Sequence, residues 1–297
     1  MGRTTKLGDL TEQLLWSVWT ELGVPGTTRA HQDVVIDPEP LIVFTPLLAR
    51  NDSRLLGLAF DWCISHAGHI SAARMNGLAK VVSEPVRREL AAFNGCLTEY
   101  KVRWKPAASG LNLVQTRKTM ALPTERPALL AFRLRGLAGV SVRADILCRL
   151  LMAPTNGLDS HAVRPSGSAR RTVEVALADL LELGVVTAQG TSRRRRFHLR
   201  NRQDLSRFCH AENLQWWDWT EILSVLEMLQ RLENLAGMKP NVQRVEGTAI
   251  RKRLDEAAVN WDQNLPPLLL SEKNPHERVL SWGEKMAAGF ANGRFAE

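Results

Sequence analysis

The chain has 297 residues, 44 % of them apolar and 24 % charged, which allows two or three domains and excludes long intrinsic disorder. Its formal charge of +8 and its pI near 9.7 point to an acidic partner, with nucleic acid the first candidate. No run of about 18 apolar residues occurs, so no membrane-spanning helix is expected.

The N-terminus has no apolar core and no small-residue cleavage site, so no signal peptide is expected. Cys63, Cys96, Cys148 and Cys209 lie far apart and form no CxxC pair. That disfavours a zinc ribbon or a thioredoxin-type site, and fits buried thiols in a reducing cytoplasm. His66 and His69 are three apart, but no carboxylate ligand set surrounds them, so no metal is expected.

Residues 1–105 predict a helical N-terminal domain. Leu14, Leu15, Val18, Trp19 and Leu22 share one face of a helix over 10–22, which Gly23 ends. Asp37-Pro38 opens a second helix and Asn51-Asp52 a third, carrying Leu55 to Ile64. Ser71 caps a fourth, with Met75, Leu78, Val81 and Val82. The three helices over 37–82, the last after a tight Gly-His-Ile-Ser turn, offer a second helix-turn-helix. A plain helical bundle is favoured because no basic wing follows. A further helix follows Pro85. Residues 106–126 are rich in breakers and predict an inter-domain linker.

Residues 127–204 predict a compact module. Leu129, Leu130, Phe132 and Leu134 line a first helix, and Ser141 caps a second over 142–152. A loop of about fifteen residues follows, where a tight helix-turn-helix has three or four. A short helix near His161-Ala162-Val163 would restore that motif. Ser168 then predicts the N-cap of a helix with Val173, Ala176, Leu177, Leu180 and Leu181 on one stripe, stopped by Gly184. Val185 to Thr187 and Arg193 to Leu199 predict a hairpin whose tip is basic. In its second strand Phe197 and Leu199 alternate with Arg196 and His198.

A helix followed by a hairpin with an arginine-rich tip resembles the winged helix-turn-helix superfamily of bacterial repressors and DNA-binding antitoxins. The matching residues are Thr172-Val173, Leu177, Leu180-Leu181, Leu183 to Val186 and the wing ending Phe197-His198-Leu199. The resemblance covers the central ~80 residues only, counted between the termini of the module. It implies a recognition helix whose first turn, Ser168, Arg170, Arg171 and Thr172, meets DNA. Arg193, Arg194, Arg195 and Arg196 would contact the backbone or the minor groove, and Arg164 a phosphate. Charge agrees with this. Residues 126–207 hold 15 Arg, no Lys and six acids, a net +9, so the rest of the chain sums to −1.

Residues 205–297 predict a helical C-terminal region. Trp216, Trp217 and Trp219 precede an apolar helix ending at Gly237, and are candidates for a partner or dimer face. No GxxxxGK[ST], GxGxxG or GxSxG motif occurs. Gly167-Ser168 lacks the carboxylate pair that a nucleotidyltransferase needs for Mg²⁺. The sequence therefore predicts a mainly α, non-enzymatic, cytoplasmic protein without a cofactor. Its expected activity is duplex DNA binding as a bacterial transcriptional regulator. The alternative is a scaffold or antitoxin-like subunit whose winged helix and C-terminal helices dock a protein.

Overall fold

A computed structural model describes residues 5–116, 120–191, 194–261, 263–266 and 276–295. The chain is mainly helical, as its periodicities predict, with five short strands among the described residues. The first five helices are α1 (Lys6–Glu21), α2 (Pro38–Leu48), α3 (Ser53–His66), α4 (Ala72–Val81) and α5 (Glu84–Leu97). Side chains cap three of them: Thr5 on Gly8 N, Asp52 on Leu55 N and Ser71 on Arg74 N. The chain then forms α6 (Leu130–Ala138), α7 (Val142–Leu151), α8 (Arg170–Glu182) and α9 (Arg202–Phe208). It closes with α10 (Trp219–Asn234), α11 (Pro240–Asn260) and α12 (Glu277–Ala291).

Every residue of α2 is buried. A helix that is apolar on all sides belongs in a core, and α2 packs against α1, α3, α4, α5 and α10. Around it one continuous apolar cluster runs from Leu7 to Phe132 and resumes from Trp217 to Ala291. The expected separate domains, 1–105 and 205–297, therefore share a core, with α12 lying along α1. Apolar faces of the two terminal regions cover each other, α1 against α12 and α2 against α10.

The expected linker is also part of this lobe. Met120 is buried in the core, and Leu111, Leu113 and Leu122 pack against it. Asn94 Nδ2 donates to Pro106 O at 2.9 Å, and Thr116 Oγ1 donates to Asp61 Oδ2 at 2.6 Å. Such anchoring replaces the freedom that the breaker-rich composition suggested.

A second, smaller cluster takes its residues from Leu130 to Ala211, with Val35 added from the large lobe. Strand β1 (Val34–Val35) pairs in parallel with β5 (Gln215–Trp216) and so joins chain segments on either side of the small lobe. The two lobes also meet at a buried ionic network. Arg74 on α4 reaches Asp37 at 2.5 Å and Glu39 at 2.7 Å. Arg135 on α6 reaches Glu39 and Asp145, each at 2.8 Å. All five side chains are buried. Burial pushes Asp37 up to about 6 against the pull of Arg74. Burial would raise Glu39 too, but the two guanidiniums override it and hold that carboxyl at about 2.

His31 closes the large lobe near the C-terminal end. Its Nε2 lies 2.8 Å from Phe290 O, and its Nδ1 lies 2.8 Å from Ser17 Oγ. A carbonyl only accepts, so Nε2 carries the proton and Nδ1 accepts from the serine hydroxyl. Burial lowers the pKa of this imidazole to about 4, against the opposing bond to Phe290 O. The folded pKa lies below the unfolded one, so the stabilisation is present above the unfolded pKa and is lost as pH falls toward 4. Acidification across that window is expected to remove roughly 3 kcal/mol of stability through this group. Urea unfolding of the wild type and of His31→Gln at pH 7 and pH 4.5 checks it. An equal loss in both proteins would assign the acid sensitivity elsewhere.

Candidate nucleic-acid interface

The small lobe is built around α7, α8 and a three-stranded sheet of β2 (Leu158–Asp159), β4 (Arg196–Leu199) and β3 (Val186–Gln189), in that spatial order. Both pairings are antiparallel, with Leu158 opposite Phe197 and Val186 opposite Leu199. Phe197 and Leu199 point into the core and Arg196 outward, as the alternation predicts.

The long loop of 154–168 contains a strand and one turn. Strand β2 uses its first part. Asp159 Oδ1 then accepts from the backbone N–H groups of His161 and Ala162, each at 2.8 Å, and Val163 N donates to Asp159 O at 3.0 Å. These N–H bonds hold the Asp159 carboxyl below the usual range. Val163 drops into the core from this turn. A single turn stands where a short helix near His161 was expected, because Pro165 and the Gly167 turn end any continuation.

Helix α8 buries Val173, Ala176, Leu177 and Leu180, the predicted stripe. Its N-cap is Ala169, not Ser168, and no side chain caps its first turn. Ser168 N instead donates to Pro165 O at 3.0 Å, and Ser168 Oγ has no partner among the described residues. The expected capping role of Ser168 is therefore corrected: the helix starts one residue later than the hydroxyl can serve.

Arg170 and Arg171 are 84 % and 85 % exposed, and Thr172 is exposed beside them. Arg170 Nε donates to Glu174 Oε1 at 2.8 Å, and Arg171 lies 3.9 Å from the same carboxylate. Exposed pairs of this kind contribute at most about 1 kcal/mol, so they leave both arginines available. At the wing, Arg194, Arg195 and Arg196 are exposed, and Arg196 stands opposite Asp159 in the sheet, whose carboxyl its charge helps to lower. Arg196 Nη1 donates to Gly157 O at 3.0 Å, which ties the wing to the turn before β2. Arg193 lies outside the described residues. Arg164 is half-buried on the turn before α8.

Not all of the module's positive charge reaches the surface. Arg135 sits in the ionic network. Arg133 donates to the carbonyls of Thr124, Arg126, Pro127 and Cys209. Arg126 donates to Thr20 O and Glu21 O. Arg149 is 8 % exposed, donates to Ala162 O at 3.0 Å and lies 4.8 Å from the Trp216 ring centroid. A charge count along the chain cannot separate these structural guanidiniums from the free ones.

The turn before α8 docks on the large lobe. Arg74 Nε donates to Ser166 O at 3.0 Å. A Cβ at Gly77 would lie 1.8 Å from Gly167 O, and Gly167 itself has φ +79°. The close approach thus requires glycine on both sides.

The tryptophan expectation is corrected. Trp217 and Trp219 are 2 % and 1 % exposed, and Trp216 is half-buried. Trp219 Nε1 donates to Val35 O at 2.7 Å, and both Trp217 and Trp219 stack edge-on against His31. These two rings join the two terminal regions of the chain, so Trp217 and Trp219 present no exposed surface to a partner.

Among the described residues, no cluster of His, Cys, Asp and Glu could hold a metal ion, and no helix is long and apolar enough to cross a membrane. No protein-family model matches the chain, and neither the curated proteins nor the solved structures contain a match to it.

Proposed function

We propose that the chain binds duplex DNA through the outer face of its small lobe, in the manner of a winged helix, and acts as a transcriptional regulator in the cytoplasm. One observation carries this reading: Arg170 and Arg171 at the start of α8 and Arg194 to Arg196 on the hairpin are exposed within a single small lobe. The helix–strand–turn–helix–hairpin order supports it. In this reading Arg170, Arg171 and Thr172 approach base edges. The hairpin arginines and Arg164 neutralise phosphates. Docking of Gly167 on α4 fixes the angle at which α8 meets the duplex.

The test is a salt titration of binding to random duplex DNA, with the wild type beside a variant in which Arg193 to Arg196 are Ala. Each lost phosphate contact is expected to lower the log–log salt slope by roughly 0.9. A slope that stays the same in the variant, or no binding at low salt, removes this reading. A protein-docking scaffold then becomes the better account. Exposed Val242, Val245 and Val259 on α11 favour that second reading.

A further inference from the structure

The large lobe carries a basic track beside the turn that leads into α8. Helix α4 holds Arg74 and Lys80 and no acid, and residues 100–116 hold Lys101, Arg103 and Lys105 and no acid. Val102 and Trp104 are 6 % and 4 % exposed and belong to the core, while Arg103 and Lys105 are exposed. With alternate side chains anchored inside, the two cations are turned toward solvent.

The segment is fixed in place next to α4. Lys105 N donates to Asn76 Oδ1 at 3.2 Å, and Asn94 Nδ2 donates to Pro106 O at 2.9 Å. Lys80 follows Asn76 on the same helix face, about 6 Å along the axis. Asn76, Gly77 and Lys80 line the cleft between the lobes together with Arg164 and Thr172 of the small lobe. Gly77 packs directly on Gly167 there. Lys105, Lys80, Arg164 and the first turn of α8 therefore share one stretch of surface.

Several other cations of the large lobe are paired locally. Lys6 meets Glu284 at 2.7 Å, Arg29 meets Glu21 at 2.9 Å, Arg87 meets Glu84, and Arg88 meets Glu89 at 3.1 Å. Lys80, Arg103 and Lys105 are exposed and form no ion pair among the described residues. Asp218, the one acid among the described lining residues of the cleft, accepts from Glu221 N at 3.1 Å and closes the start of α10. A rigidly mounted, acid-free set of cations that adjoins a second basic surface is an electrostatic footprint for a polyanion.

We propose that Lys80, Arg103 and Lys105 bind the phosphate backbone of duplex DNA where it leaves α8, so that the DNA-binding surface crosses from the small lobe onto the large one. This rests on the reading that α8 and the hairpin meet DNA, and adds a second contact region to it. Cations that neutralise phosphates release counterions, which supplies affinity and fixes orientation without reading sequence. A duplex held by both lobes meets α8 at the angle set by the packing of Gly77 on Gly167.

The experiment is a salt titration of the full chain on random duplex DNA of about two helical turns. The wild type is compared with the variant Lys80→Gln, Arg103→Gln, Lys105→Gln. All three side chains are exposed and unpaired, so the variant is expected to keep the wild-type Tm. Its log–log salt slope is expected to fall by roughly 2 to 3, at about 0.9 for each lost phosphate contact. A matched variant in which the exposed Lys239, Arg244 and Lys252 become Gln removes the same charge and is expected to keep the wild-type slope. In the wild type, acetylation of Lys80 and Lys105 is expected to slow severalfold when duplex is bound, with Lys252 unchanged. The proposal is overturned if the track variant keeps the wild-type slope while the hairpin variant loses it, an outcome that leaves the nucleic-acid reading standing. It is also overturned if the matched variant loses as much slope, because net charge then carries the effect. Absence of duplex binding by the wild type at low salt overturns both readings together.

Discussion

Arg135→Met is expected to destabilise the protein by about 3–5 kcal/mol, the range for removing one partner from a buried ion pair. Arg135 holds Glu39 and Asp145 at 2.8 Å each and donates to His69 O at 2.9 Å. Without it three buried carboxylates share Arg74 alone. The lost attraction is large because the five side chains are buried, where the effective dielectric is lower than in water. Methionine fills much of the volume, so the loss reads the charge rather than a cavity. The double variant Arg135→Met, Glu39→Gln removes one charge of each sign and is expected to recover part of the loss, because fewer charges are left without a partner. Urea unfolding measures both. Hydrogen exchange adds a second readout. In the single variant, amides of 130–211 should exchange faster than those of α2, since the network joins the lobes. A loss below about 1 kcal/mol would mean that the network behaves as exposed pairs do.

Trp219→Ala is expected to cost about 3–5 kcal/mol, as large-to-small changes at buried aromatic positions do. The ring is 1 % exposed and stacks on His31 and Trp217, with ring centroids 5.7 and 5.6 Å away. The substitution also leaves Val35 O without its indole donor. Because β1 and β5 join the chain on either side of the small lobe, the damage should reach the interface between lobes as well as the core. The measurement is unfolding at several protein concentrations together with light scattering. A large loss that is independent of concentration, with no change in mass, is the expected outcome. A change in mass with little loss of stability would place the tryptophans in an interface between molecules instead.

Local spacing along the chain decided a good deal. The apolar stripe of α8, the caps Asp52, Ser71 and Ser141, and the alternation of Phe197 and Leu199 are all legible without coordinates. Each depends on residues within a few positions of one another, and the 3.6- and 2-residue periods report such neighbours directly. The basic hairpin is legible for the same reason.

What the spacing could not show depends on long separations. Trp216, Trp217 and Trp219 look alike as a candidate face, and only packing against His31 and Val35 buries two of them. Asp37, Glu39, Arg74, Arg135 and Asp145 are ordinary charged residues in the sequence. Tertiary structure gathers them into one buried site, where each becomes tolerable only through the others. The same packing turned several arginines of the basic module inward and set a boundary between lobes that joins the two ends of the chain. Ser168 is the clearest case. Its residue type signals a cap, but the turn docked on α4 starts the helix one residue later and leaves the hydroxyl buried without a partner among the described residues. Periodicity carries the elements because they are local. Burial and pairing come from contacts between distant segments, and these decide which of the polar groups remain free to act.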